Sequence, residues 1–401
     1  MKSKLENRWM RAAIPALLIH CCIGTVYCWS LIKADIAESI GASSGVVEWA
    51  FSIAIFCLGM SAFLLGDIVE RDIKKSSLLS AIFFAVGMIG TGISIYFKSL
   101  VGVYLFYGII MGIGLGLGYL TPVKTLMLWF EDNKGLATGI AVAGFGLAKA
   151  IASPIKVYLI AIVGVEKMFY ILGAFSFVAM MLGHYLIKKP EGWKEAEHTS
   201  FNKLALFKDP IFISIWIVFY INISCGLAIM SQEKDILSIM GIAVGTIALI
   251  SSLNAAVNVL GRLGFSNLSD RLKVRSIVFR VILVSSIVGC VLVCLTNAID
   301  NSIVILVVLL MLVVNACMGG GFSCIPPVLS DAFGMENISK IHGVSLSAWA
   351  IAGLTGNQIS SIVVSATGSY TYVIYVTLAL YVVALIVSQY FIRPAMKNKQ
   401  D

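Results

Sequence analysis

Between Ser251 and Arg275 the sequence SSLNAAVNVLGRLGFSNLSDRLKVR places a permanent positive charge inside an apolar run. Its first part is apolar enough for a bilayer, yet it carries Asn254, Asn258 and Arg262. Its last part, Ser269 to Arg275, is a short charged turn of the kind that sits in water. An arginine about two helical turns before such a turn is costly if buried, at roughly 2.5 to 3.5 kcal/mol near a helix centre. Such a residue normally faces a water-filled path or a ligand, and its planar fork of donors suits a carboxylate. The other reading is that Arg262 reaches along its apolar stem to the headgroups. Arg262 is taken here as an anion-binding residue.

Three lysines also fall in apolar runs, Lys124, Lys149 and Lys156. Lys149 and Lys156 are seven residues apart and share one helix face. Lys149 either supplies a second cation to an anion or reaches water with no ligand role. Lys124 and Lys156 are expected to snorkel, Lys124 toward the cytoplasm and Lys156 toward the outside. His20 is the histidine best placed to titrate in the membrane, and a packing role is its expected one. The chain offers no Ser-His-Asp set, no phosphate-binding lysine loop and no paired catalytic carboxylates, so an enzyme is not expected. The glycines at 108, 112, 114, 116 and 118 follow no strand; they read as a surface for close helix contact rather than a nucleotide loop. No cofactor and no metal are expected.

These side chains need elements to hold them, and composition says which. Of 401 residues, 59% are hydrophobic and 12% charged, against about 25% charged in soluble domains. That much apolar surface calls for a bilayer. The net charge of +8 is spread over short loops, so it does not point to nucleic acid. Nine cysteines lie within apolar runs without metal-ligand spacing and read as small packing residues. The run 12–32 is longer than a signal-peptide core and is read as an uncleaved first span.

A span needs roughly 20 apolar residues. The candidates are 11–32, 46–66, 76–97, 100–122, 136–163 and 166–187, then 210–231, 242–265, 276–297, 302–327, 342–366 and 370–392. The expected fold is therefore an all-α membrane protein of about twelve transmembrane helices in two six-helix halves. Residues 1–187 form the first half, 188–209 a central cytoplasmic loop and 210–401 the second half. Lys2, Lys4, Arg8 and Arg11, the group Arg71, Lys74 and Lys75, the central loop with Lys194, the turn Arg271 to Arg275 and the tail Arg393 to Lys399 fall on one side. By the positive-inside rule that side, with both termini, is cytoplasmic.

The halves repeat each other. Gly66-Asp-Ile-Val-Glu70-Arg71 recurs 200 residues later as Ser266-Asn-Leu-Ser-Asp270-Arg271. Pro122 at the end of span four answers Pro326 and Pro327 at the end of span ten, and Gly139 to Lys149 matches Gly343 to Gly353 at an offset of 204. Parallel repeats of this kind put a substrate site near the midplane between halves.

With this repeat the chain resembles the major facilitator superfamily, whose signature loop the stretches at Glu70-Arg71 and Asp270-Arg271 follow. Glu70 stands where aspartate is usual, and Ile73 and Lys273 where glycine is usual. Within the superfamily it is similar to the oxalate–formate antiporter family over most of its length. The matching residues are Asn7-Arg8-Trp9, Tyr27-Cys28-Trp29-Ser30, Gly118-Tyr119 through Trp129-Phe130, Lys134 to Gly139, Gly261-Arg262, Ser269-Asp270, and His342-Gly343 through Trp349-Ala350. The resemblance implies the major facilitator fold, a carboxylate held by Arg262, and a cavity lined by Tyr27, Trp29, Tyr119, Phe145, Phe322 and Trp349. It also implies gating loops at Glu70, Arg71, Asp270 and Arg271. The oxalate-transporting member pairs its arginine with a lysine on span eleven, and here that position is Trp349. One cation beside an indole suits a monoanion with a small organic tail.

The expected function is secondary transport of a small monocarboxylate such as lactate, pyruvate or formate by alternating access. The alternatives are a dicarboxylate–formate exchanger using Arg262 and Lys149, and a transporter-like anion sensor. The expected setting is the plasma (inner) membrane, crossed many times by a chain that acts as a monomer, with a small carboxylate and the lipid bilayer as its partners.

Overall fold

The computed structural model describes residues 7–192 and 201–392. Lys2, Lys4, Lys194 and the tail from Arg393 to Lys399, used above for orientation, lie outside the described residues. Twelve long helices follow one another within them. They are α1 (Trp9–Ile40), α2 (Ser44–Arg71), α3 (Ile73–Tyr96) and α4 (Leu100–Trp129). Next comes a run assigned as one helix, Lys134–Leu186, in which Gly164 has φ 84° and ψ 162°. No helical residue adopts that backbone, and glycine adopts it at no steric cost. The run is therefore two helices, α5 (134–163) and α6 (165–186). After them come α7 (Pro210–Ser231), α8 (Val244–Arg271), α9 (Ile277–Leu295), α10 (Val304–Phe333), α11 (Ile338–Thr367) and α12 (Thr371–Val387).

By length and composition, ten stretches among the described residues are suited to cross a membrane, and Glu131–Leu186 is one of them. Division of that stretch at Gly164, together with the thirty-residue α11, gives the twelve expected from hydropathy. All nine cysteines are free, seven of them buried.

Local chemistry explains the helix ends. Asp72 accepts from the backbone N–H groups of Lys74 and Lys75 at 2.8 and 3.0 Å, capping α3. Asp209 does the same for α7 through Ile211 and Phe212, with Pro210 at the first helical position. Each caps donors that a helix start otherwise leaves unmet. Lys74 Nζ donates to the carbonyls of His184 and Tyr185 at 2.5 and 2.9 Å, which closes the end of α6.

The chain forms two compact units, Met1–Phe201 with Met335–Ala350, and Asn202–Gly334 with Ile351–Asp401. In the first, α1 narrows to a 3-10 turn over Gly24–Cys28. In the second, α8 and α10 pack closely because Gly319 lacks a side chain. A Cβ there would lie 2.4 Å from the Asn258 carbonyl oxygen and 3.1 Å from Cγ of Arg262. Gly319→Ala gains about 1 kcal/mol of helix propensity, but overpacking against backbone costs about 1 to 3 kcal/mol. The second effect should win. The purified variant is expected to unfold at a lower temperature than the wild type, and an unchanged midpoint would refute the close packing.

Candidate functional site

In the second unit the site is built on α8. Ser251, Asn254, Asn258, Arg262, Ser266 and Ser269 recur every three or four residues, so they form one polar stripe along the helix. Arg262 is 4% exposed. Its Nε donates to Asn258 Oδ1 at 2.9 Å, one turn back on the same face. Asn258 Nδ2 in turn donates to the Asn315 carbonyl at 2.9 Å on α10. The guanidinium lies 5.2 Å from the centre of the Phe322 ring, within cation–π range. Phe219 of α7 meets the same ring edge-on at 5.2 Å. The backbone is held as well: Ser323 Oγ donates to the Arg262 carbonyl at 2.9 Å, and Ser266 Oγ donates to Ser323 Oγ at 2.7 Å. Arg262 is thus buried and oriented rather than extended to the headgroups. A planar cation fixed at one edge and backed by an aromatic ring is suited to a carboxylate.

In the first unit, aromatic side chains gather around His20. His20 stacks on Tyr119 at 5.5 Å, and its two ring nitrogens lie 2.5 and 3.2 Å from the carbonyls of Ala141 and Tyr119. Phe145 packs edge-on against Tyr27 at 5.1 Å, Tyr119 at 6.1 Å and Trp349 at 6.2 Å. Trp349 also meets Tyr119 at 5.9 Å and is buried. Four expected cavity residues, Tyr27, Tyr119, Phe145 and Trp349, are therefore one cluster. Trp29 stands apart from it and packs 4.3 Å from Tyr107. That position is ordinary helix packing.

Two of the lysines depart from expectation. Lys124 does not snorkel: it is 2% exposed, and its Nζ donates to Glu70 Oε1 at 2.6 Å and to the Glu70 carbonyl at 2.8 Å. The Ser339 N–H donates to the other Glu70 oxygen at 2.8 Å. Lys156 does not snorkel either. It is 1% exposed and donates to the Thr25 carbonyl at 3.0 Å, within the 3-10 turn of α1. A 3-10 turn withdraws its carbonyls from the regular α ladder, so Thr25 has an acceptor to offer. Lys149 is half-buried, and its ammonium makes no ion pair among the described residues.

The two signature loops use their acids and leave their adjacent arginines out. Arg71 and Arg271 are exposed and make no ion pair among the described residues. The basic partners come from further away. Glu70 takes Lys124, whereas Asp270 takes Arg275, which also binds Asp331 at 2.8 Å. Burial by itself would lower the Arg275 pKa; hydrogen bonding to Asp270 and the charge of Asp331 outweigh it and hold the guanidinium above its ordinary value. Lys124→Met would leave the Glu70 carboxylate, whose side chain is 10% exposed, without its cation. Removing one partner of such a pair costs about 3 kcal/mol or more. A marked fall in thermal midpoint is expected, largely restored in the double variant Glu70→Gln with Lys124→Met. Equal losses in single and double variants would contradict the pairing.

The family model described as Major Facilitator Superfamily matches residues 16–356 and 224–401. The chain belongs to that superfamily. It is accordingly a multi-pass helical membrane protein, of a family of transporters. The oxalate:formate antiporter of Oxalobacter formigenes is 23% identical to it over 374 residues, covering 91% of this chain and 87% of the antiporter. Monocarboxylate transporter 12 of Homo sapiens is also 23% identical, covering 90% and 76% of the two chains. Among solved structures, the proton:xylose symporter XylE bound to 6-bromo-6-deoxy-D-glucose aligns with a TM-score of 0.74 over 100% of both chains at 14% identity. That likeness establishes the major facilitator fold.

Proposed function

We propose that this transporter carries small monocarboxylates, such as lactate, pyruvate or formate, by alternating access. The observation that carries this reading is Arg262. It is a buried, permanently charged side chain in a membrane helix, oriented by Asn258 and backed by Phe322. Burial of such a charge is too costly to be retained as filler. A carboxylate matches the fork in charge and geometry, and the phenyl ring offers an apolar surface to a short organic tail. The aromatic group of Tyr27, Tyr119, Phe145 and Trp349 is assigned to the apolar lining along the path through the first unit. The likeness to an oxalate:formate antiporter and to a monocarboxylate transporter supports the carboxylate class.

The protein is proposed to act as a monomer in the plasma (inner) membrane, with both termini cytoplasmic, and to catalyse no chemical step. The ion pairs Lys124–Glu70 and Arg275–Asp270 are assigned to the gating loops. A second reading, exchange of a dicarboxylate, draws on the half-buried Lys149 ammonium. Uptake of labelled lactate, pyruvate, formate and oxalate into proteoliposomes tests the proposal. Monocarboxylate uptake that excess unlabelled monocarboxylate suppresses is expected. Absence of uptake for every carboxylate, in protein shown to be inserted, would overturn it.

A further inference from the structure

The polar stripe of α8 continues past Arg262 to a buried acid. After α7 the chain turns into a short helix, Glu233–Ile239, whose first residue is 7% exposed. One Glu233 carboxylate oxygen accepts from the Ser251 hydroxyl, and the other accepts from Asn254 Nδ2 at 3.0 Å. Both donors belong to α8, on the face that carries Asn258 and Arg262. From Asn254 to Arg262 is eight residues, about 12 Å of helix, near enough for charge on one group to bias the other.

No cation pairs with Glu233 among the described residues. The elements packed against it supply none. Helix α7 contains no Asp, Glu, Lys, Arg or His, and neither does the 351–367 part of α11, whose Ser360 meets the adjoining Gln232. On α8 the nearest charged residue is Arg262, and on the short helix itself Lys234 and Asp235 are exposed. A buried carboxylate of this kind is normally paired with a cation. Here it has two neutral partners.

Those partners suit both protonation states. Asn254 is buried, and its Oδ1 has no hydrogen-bond partner. With the amide turned over, Oδ1 would accept from a Glu233 carboxylic acid O–H, and Nδ2 would give up no other bond. The Ser251 hydroxyl can likewise rotate from donor to acceptor. Rotation of these two side chains would let the cradle serve the ion and the acid in turn. A site built only to clamp two helices would not need that symmetry.

We infer that Glu233 is a proton-carrying residue of the transport cycle, taking a proton from water when a carboxylate is to be carried and releasing it to water afterwards. The step converts a carboxylate to a carboxylic acid and back. With one monocarboxylate on board, one proton leaves the loaded protein with no added net charge. This deepens the carboxylate-transport reading and rests on it, except that protonation of Glu233 can be observed without any substrate.

The test uses the full-length protein in liposomes. Infrared difference spectra on acidification should show a carboxylic acid C=O band in the wild type that is missing in Glu233→Gln; a band unaltered by that change overturns the inference. An inward proton gradient should drive accumulation of labelled pyruvate in the wild type and in Glu233→Asp. Glu233→Gln should lose this accumulation while pyruvate exchange at equal pH stays within about twofold. Gradient-driven accumulation that survives in Glu233→Gln, or that follows sodium and ignores protons, also overturns it. If Glu233→Gln fails to insert, Ser251→Ala decides. Loss of a hydrogen-bond partner should shift the frequency of the C=O band, and a band left unmoved by Ser251→Ala overturns the inference. Absence of carboxylate exchange by the wild type would instead remove the proposed function, and the infrared band would still decide Glu233.

Discussion

Arg262→Lys is expected to cut carboxylate uptake by about 100-fold or more while the protein still inserts and folds. Lysine keeps the charge but not the geometry. Arg262 now uses Nε to hold Asn258, and a carboxylate would be taken on the planar edge of the same group. An ammonium on a flexible stem has no Nε and no planar edge, so it loses both the bond that orients it and a two-point grip on the ligand. Hydrogen bonds to charged groups contribute about 1.5 to 3 kcal/mol each, and about 1.4 kcal/mol is a factor of ten. Loss of two therefore gives roughly two orders of magnitude or more. Folding should survive, because the Ser323 bond to the residue-262 carbonyl is made by the backbone. Uptake equal to wild type in a correctly inserted Arg262→Lys protein would remove Arg262 as the carboxylate anchor.

Lactate or pyruvate should compete for transport at least about 100-fold better than oxalate. The reason is charge balance. Each charge left unpaired in a low-dielectric site carries a desolvation penalty of several kcal/mol, and a factor of 100 needs only about 2.8 kcal/mol. On the proposed reading, a site with one engaged cation would admit a monoanion and reject a dianion. Trp349, packed edge-on with Tyr119 and Phe145 in the first unit, carries no charge. The alternative reading gives Lys149, a half-buried lysine that makes no ion pair among the described residues, the part of a second cation. Lys149→Ala should spare monocarboxylate uptake. Tight oxalate binding in the wild type that disappears in Lys149→Ala would establish the two-cation reading in its place.

The helix count, the break before the sixth helix and the charged loops could be read from the chain alone, because a bilayer imposes a cost that each residue meets independently. About 20 consecutive apolar residues are required whatever packs against them, and Gly164 or Asp72 acts on its own few neighbours. Arg262 was legible for the same reason: a guanidinium in an apolar run is conspicuous without any knowledge of its surroundings. Its orientation by Asn258 depends only on a four-residue spacing along one helix.

Partner choice was a different matter. Glu70 could be seen, but not that it would take Lys124, 54 positions away, in preference to adjacent Arg71. Lys156 could be seen, but not that a 3-10 turn 131 positions earlier would offer it the Thr25 carbonyl. Trp29 and Tyr27 share a motif, yet one packs on Tyr107 and the other on Phe145. Glu233 escaped notice because it lies just beyond the seventh apolar run, where a charged residue reads as solvated. Burial there comes from the turn of the chain onto α8, which brings in Ser251 and Asn254. Hydropathy and periodicity along one helix determine what must be buried; which long-range partner receives it is decided only when helices far apart in sequence come within hydrogen-bonding distance.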